Sequence, residues 1–173
     1  MQPPAIGFGD QRRDRSTTAG QHRILGACVR MPANARRVAL VIAEKALQIV
    51  DRQSTKAVAL GLDGIVVSNH GGRRLDGMPA TIDMLPEIVA TVGGRAEVYM
   101  DGGVRRGTDV LIALALGARG VLIGRPYAWA LGADGEAGVR KVLDLFRDEL
   151  LNAMVATGCA KVSDIQPTLL RRP

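Results

Sequence analysis

A histidine and an arginine stand three residues apart in Ser68-Asn69-His70-Gly71-Gly72-Arg73, directly after the apolar run Ile65-Val66-Val67. An imidazole titrates near neutrality and can take or give a proton; a guanidinium stays charged and can grip a carboxylate through two parallel hydrogen bonds. Side by side they suit a small anionic substrate. Arg73 would hold the carboxylate, and His70 would act as a base close to the carbon next to it. The glycine pair lets the backbone bend sharply and approach a ligand. The bland reading of His70 is a histidine satisfied by a backbone carbonyl; Asn69, the glycines and Arg73 beside it favour the catalytic one. Arg74 and Asp76 read as surface or helix-entry residues. His22 is the only other histidine, so no Ser/His/Asp triad can be drawn.

Two further clusters point to an anion. Asp101-Gly102-Gly103-Val104-Arg105 and Gly124-Arg125-Pro126 each combine glycines, which expose backbone N–H groups, with an arginine able to make charge-assisted bonds to a phosphate. One such cluster could be a turn with a solvated arginine. Two of them at neighbouring strand ends favour an anion site.

The elements that position these clusters follow from the hydrophobic pattern. Apolar runs at Gly64–Val67, Glu97–Met100 and Gly120–Ile123 each break off into one of the polar, glycine-bearing clusters. Continuous apolar runs of this length suit strands buried on both faces of a parallel sheet. Helical patterns lie between them. Pro86 suits the first turn of a helix carrying Leu85, Ile88, Val89 and Val92, closed by Gly93-Gly94. Thr108 could cap the next, ended by Gly117, and a third runs from about Ala137 to Thr157 with Gly158 after it. The order is βαβαβα, a parallel α/β arrangement with right-handed crossovers. Its ligand groups sit at the strand C-termini, as in open sheets and (β/α)8 barrels alike.

Before this region the texture differs. Residues 1–57 hold ten Lys/Arg against four Asp/Glu, whereas residues 58–173 hold thirteen of each, so the whole net charge of +6 lies in the first third. That third has no basic helix face, and Phe8 is its only aromatic, which speaks against nucleic-acid binding. Residues 1–34 read poorly as folded structure, with Ile24–Val29 their only apolar patch, and Ala35 to Val50 allows a helix with an indistinct apolar face. The expected division is a basic segment over 1–56, disordered or partly helical, and a folded portion over 57–173. Cys28 and Cys159 form neither a metal motif nor a disulfide framework. No stretch approaches the roughly 20 apolar residues of a membrane span, and no secretory signal is evident, so the expected location is the cytoplasm.

Ser68-Asn-His-Gly-Gly-Arg73-X-Leu75-Asp76, then Pro79-Ala80-Thr81-Ile82-Asp83, Asp101-Gly-Gly-Val-Arg105 and Gly124-Arg125-Pro126 resembles the FMN-dependent α-hydroxy-acid oxidase/dehydrogenase family, which includes glycolate oxidase, lactate oxidase and mandelate dehydrogenase. The likeness runs in order from about Lys56 to Ile165. It implies the last three β/α units of a (β/α)8 TIM barrel, with FMN as cofactor and oxidation of an (S)-2-hydroxy acid to a 2-oxo acid as the chemistry. By the same likeness His70 would be the base, Arg73 would bind the substrate carboxylate, and Ser68 would contact the flavin. Asp101, Gly102, Gly103, Val104, Arg105, Gly124 and Arg125 would hold its ribityl and phosphate. Arg74 stands where relatives often carry glutamine. The family's active-site lysine, early tyrosines, histidine-partnering aspartate and second carboxylate-binding arginine have no match in residues 1–57; neither Lys45 nor Lys56 follows an apolar strand run. Three units cannot close a barrel. The implied partners are a small 2-hydroxy acid and either further copies of the chain or a complementing N-terminal chain. The alternative is a catalytically inactive, truncated fragment that at most binds FMN or phosphate.

Overall fold

A computed structural model describes the backbone of residues 38–42 and 47–171 and the side chains of residues 53–171. Four strands form one sheet in sequence order: β1 (Val38–Ile42), β2 (Gly64–Ser68), β3 (Glu97–Met100) and β4 (Gly120–Val121). Every pairing is parallel, and the register sets Ile42 beside Ser68 and Val67 beside Met100. A helix follows each strand: α1 (Leu47–Ala59), α2 (Thr81–Val92), α3 (Gly107–Ala115) and α4 (Arg125–Ala156).

The three expected strands are present, and β1 is a fourth. The pattern over Ala35 to Val50 suggests one helix, but the structure has a strand at Val38–Ile42 and a helix only from Leu47. Val38, Val41 and Ile42 fit a helix face and a buried strand equally well. Length and β-branching decide for the strand once β2 is there to pair with it. An apolar strand therefore does end shortly before Lys45, against expectation; Lys45 itself lies outside the described residues, while Lys56 is inside α1, which runs through the expected boundary at 56 and 57. The readings of residues 1–34 also lie outside the described residues.

Helix starts differ from expectation for stated reasons. α2 begins at Thr81, so Pro86 is internal rather than in the first turn. The start is tethered by the buried Thr81 hydroxyl, which donates to the carbonyls of Asp101 (2.5 Å) and Gly102 (3.3 Å). α3 begins at Gly107, where the Asp109 carboxylate, not Thr108, accepts the amides of Arg105 (2.8 Å) and Arg106 (2.9 Å). α4 begins well before Ala137 and is broken at Asp134-Gly135, where the backbone leaves helical geometry; its second segment is the expected helix.

The core lies between the sheet and its helices. Ile65, Val67, Val98 and Met100 pack with Leu85 and Ile88 of α2, Val110 and Leu111 of α3, and Phe146, Leu150 and Met154 of α4. Val66 and Tyr99, paired in register, lie outside this cluster, as the two-residue period of strands requires. Beside them Tyr99 donates to Glu97 (2.6 Å); burial, then that carboxylate, push its phenol well above the usual range. No helix among the described residues is long and apolar enough to cross a membrane.

Candidate active site

β2 ends in the buried Ser68, whose hydroxyl accepts the His70 amide at 3.1 Å; Asn69 Oδ1 accepts the Gly71 amide at 3.0 Å. These two bonds wind His70–Gly72 into a single 3-10 turn. They hold His70 at φ 53°, the one non-glycine left-handed conformation among the described residues. Such a conformation is costly for a side-chain-bearing residue and persists only where the surroundings impose it. The imidazole Nε2 is buried and has no hydrogen-bond partner among the described residues.

The end of β3 lies against this turn. The Asp101 amide donates to Val67 O at 2.9 Å, carrying the ladder one step past the strand. A Cβ on Gly102 would stand 2.8 Å from Asn69 Oδ1 and 3.1 Å from Thr81 Oγ1, so the two loops meet without room for a side chain. Asp101 Oδ1 is buried and has no hydrogen-bond partner among the described residues. Val104 is in the core and anchors the loop from beneath. The guanidinium of Arg105 lies over the Trp129 ring, 5.2 Å from its centroid. Glu149 on α4 then fastens the start of α3: it accepts the Gly107 amide at 2.8 Å and the Arg106 guanidinium at 3.1 Å. That amide first, and Arg106 next, hold its carboxyl below the usual range.

At the start of α4, just past β4, Arg125 donates through Nη2 to Gly71 O at 3.1 Å. The three strand ends enclose a cleft of about 340 Å³. Nine of the ten site residues expected from sequence line it: His70, Arg73, Asp101, Gly102, Gly103, Val104, Arg105, Gly124 and Arg125. Ser68 does not, but braces the His70 turn. Leu122, Ile123 and Pro126 give the cleft an apolar lip. Among the described residues no carboxylate is within ion-pair distance of Arg73, Arg105 or Arg125. Three unpaired cations thus face one lining carboxylate, that of Asp101, which sets a positive field for an anion. Sequence reasoning missed Trp129, four residues after Arg125 on the same helix; that spacing, with its status as the chain's only tryptophan, was the available signal.

Residues 42–172 match the family described as FMN-dependent dehydrogenase. The chain is 57% identical over 117 residues to 2-hydroxyacid oxidase 1 of Mus musculus, covering 68% of this chain and 32% of that protein. It is 55% identical over 117 residues to an L-lactate oxidase of a Nostoc strain, with the same coverage of both chains. A peroxisomal (S)-2-hydroxyacid oxidase of Arabidopsis thaliana is 58% identical over 110 residues, 64% of this chain and 30% of the relative. A crystal structure of mandelate oxidase with (S)-2-phenylpropionate superposes with a TM-score of 0.68 at 49% identity, over 75% of this chain and 37% of that one. The chain spans about a third of the length of the curated relatives it matches.

Proposed function

The chain belongs to the FMN-dependent dehydrogenase family, and we propose that its cleft is the phosphate-binding and proton-transfer portion of a site that oxidises a 2-hydroxy acid to a 2-oxo acid. The observation that carries this reading is the convergence of one unpartnered imidazole nitrogen and three unpaired arginines in a single cleft at the C-terminal ends of parallel strands.

The residues present fit FMN. Arg105 and Arg125 offer charge to a phosphate, Gly102 and Gly103 allow close backbone approach, and the unpartnered Asp101 Oδ1 is an acceptor suited to a polyol hydroxyl. Ser68 would contribute by holding the His70 turn at the edge of the cleft. When bound, FMN would accept the hydrogen of the substrate's C–H bond together with its two electrons, a hydride equivalent. The chain's own residues do the rest. Arg73 captures the carboxylate in its planar fork and so fixes the adjacent hydroxyl-bearing carbon. His70 Nε2 takes the proton released as that C–OH becomes C=O. Among the described residues Nε2 has no hydrogen-bond partner, so no protein group competes for that proton.

A second reading has its own support: four described strands leave an open sheet, and the matched stretch is only about a third of the relatives' length. On that reading the chain binds FMN or phosphate without turnover unless further strands, from another copy or a complementing chain, complete the barrel. The cytoplasm is the proposed location, although the Arabidopsis relative is named peroxisomal.

Reconstitution with FMN followed by removal of free flavin tests both. A bound flavin spectrum, lost in Arg105→Ala/Arg125→Ala, supports the cleft; anaerobic bleaching by a 2-hydroxy acid, lost in His70→Gln with flavin retained, supports the oxidation. A colourless protein sinks the oxidation and the FMN arm of the second reading, and a coloured one that no hydroxy acid bleaches leaves only the second.

A further inference from the structure

Arg125 does something in this structure that phosphate binding does not require. Its Nη2 donates to the carbonyl of Gly71, 54 residues away, and so joins the end of β4 to the His70 turn at the end of β2, across the intervening β3. The guanidinium also lies close against Gly71, Nη2 nearest: a Cβ there would meet Nη2 at 3.2 Å, Cζ at 3.8 Å and Nε at 4.0 Å. Gly71 has φ 68°, between His70 at φ 53° and Gly72 at φ 71°, so the arginine rests on the middle of three consecutive left-handed steps, the first in a residue that disfavours it.

We propose that Arg125 is a positioning residue for His70 and couples the filling of the anion cleft to the conformation of the His70 turn. The inference rests on the reading of that cleft as a phosphate site. A guanidinium carries five N–H groups, and one is used on Gly71, so a dianion can take others without displacing the carbonyl. Arg125 is exposed, and among the described residues its long side chain is held by one neutral acceptor and no carboxylate. Ordering such a chain costs rotamer entropy. A bound dianion offsets that cost. The bond to Gly71 is then kept by a guanidinium already in place, and the turn that aims His70 tightens with it. The two events are cooperative through shared ordering rather than through a large movement.

The full chain holds two histidines, so labelled imidazole signals are few, and His22→Gln identifies that of His70. The probe is inorganic phosphate, which has no isoalloxazine ring to touch His70. Its binding is read separately by the fluorescence of Trp129, the sole tryptophan, against which Arg105 rests. The expected result is a His70 shift that saturates with the fluorescence change. In Arg125→Lys, phosphate at saturating concentration still alters fluorescence, while the His70 response falls by about fivefold or more. In Arg105→Ala, more phosphate is needed but the His70 response at saturation is undiminished. A full His70 response in Arg125→Lys with phosphate bound overturns the coupling and leaves a direct field effect. The absence of any fluorescence change in the unaltered chain overturns the phosphate reading and the coupling with it. The fluorescence change in Arg125→Lys also shows that the variant is folded.

Discussion

Gly107 is where the helix behind the anion site meets the long C-terminal helix, and replacing it with alanine should loosen both. A Cβ on Gly107 would lie 2.2 Å from Leu150 N, 2.6 Å from Phe146 O and 2.7 Å from Glu149 C, all backbone atoms that no rotamer change can move. Bringing the shortest of these from 2.2 Å to the 3.4 Å of ordinary contact requires α3 and α4 to part by roughly 1.2 Å. Overpacking of this kind costs about 1–3 kcal/mol. The same displacement stretches the bond from the Gly107 amide to the Glu149 carboxylate, and hydrogen bonds to charged groups are worth about 1.5–3 kcal/mol. Alanine's better helix propensity returns about 1 kcal/mol. The expected net loss is about 3 kcal/mol, a large share of a typical domain's 5–15 kcal/mol. Urea unfolding followed by circular dichroism should show a lower midpoint, and the melting temperature should fall by about 6–12 °C. Gly132→Ala is the control: a Cβ there has nothing within 4 Å, so it should be neutral or slightly stabilising. A loss under about 1 kcal/mol for Gly107→Ala would refute the close approach of the two helices.

Trp129→Ala should weaken FMN binding by about two- to fivefold, the worth of an exposed cation–π contact to Arg105, with Trp129→Phe intermediate; titration of flavin absorbance measures this, and riboflavin, which lacks the phosphate, should bind the two proteins alike. Thr81→Val removes the hydroxyl that donates to the Asp101 and Gly102 carbonyls, and should cost about 1–3 kcal/mol in chemical denaturation while weakening FMN binding. Glu149→Gln should destabilise most near neutral pH. Because the folded carboxyl lies below its unfolded value, its contribution is full above about pH 4.3 and is lost as pH falls through the folded value. Thermal melts of the two proteins should therefore converge on acidification, and a gap that stays constant down to low pH would argue against the carboxylate's role.

The parts of the fold that were legible in the sequence were those with one interpretation. Ile65-Val66-Val67 is too short for a helix and ends in residues that break one, so β2 and its turn followed directly. Val38–Ile42 has no such punctuation, and its strand character comes from pairing with β2, a contact that no local pattern contains. The cleft residues were legible because each sits at the end of its own strand, where parallel topology gathers them. The bond from Arg125 to Gly71 and the stack of Arg105 on Trp129 were not, since both join separate turns or helices and depend on how the strand ends are spaced. Pro86 misled for a different reason: the tether through Thr81 outweighs the backbone bond that an internal proline forfeits.

The break at Asp134-Gly135 divides α4 into two parts with unequal fates. The second segment places Phe146, Leu150 and Met154 in the core, whereas the first, which carries Arg125 and Trp129, leaves Tyr127, Trp129 and Leu131 largely exposed. Amide protons of the second segment should exchange with solvent only on global unfolding, and those of the first through a cheaper, local opening. A bulk melting curve would then record the survival of the core after the wall of the cleft had already come away. Proteolysis near residue 134 under native conditions, slowed by FMN, would follow that earlier event directly, and would separate loss of the site from loss of the fold.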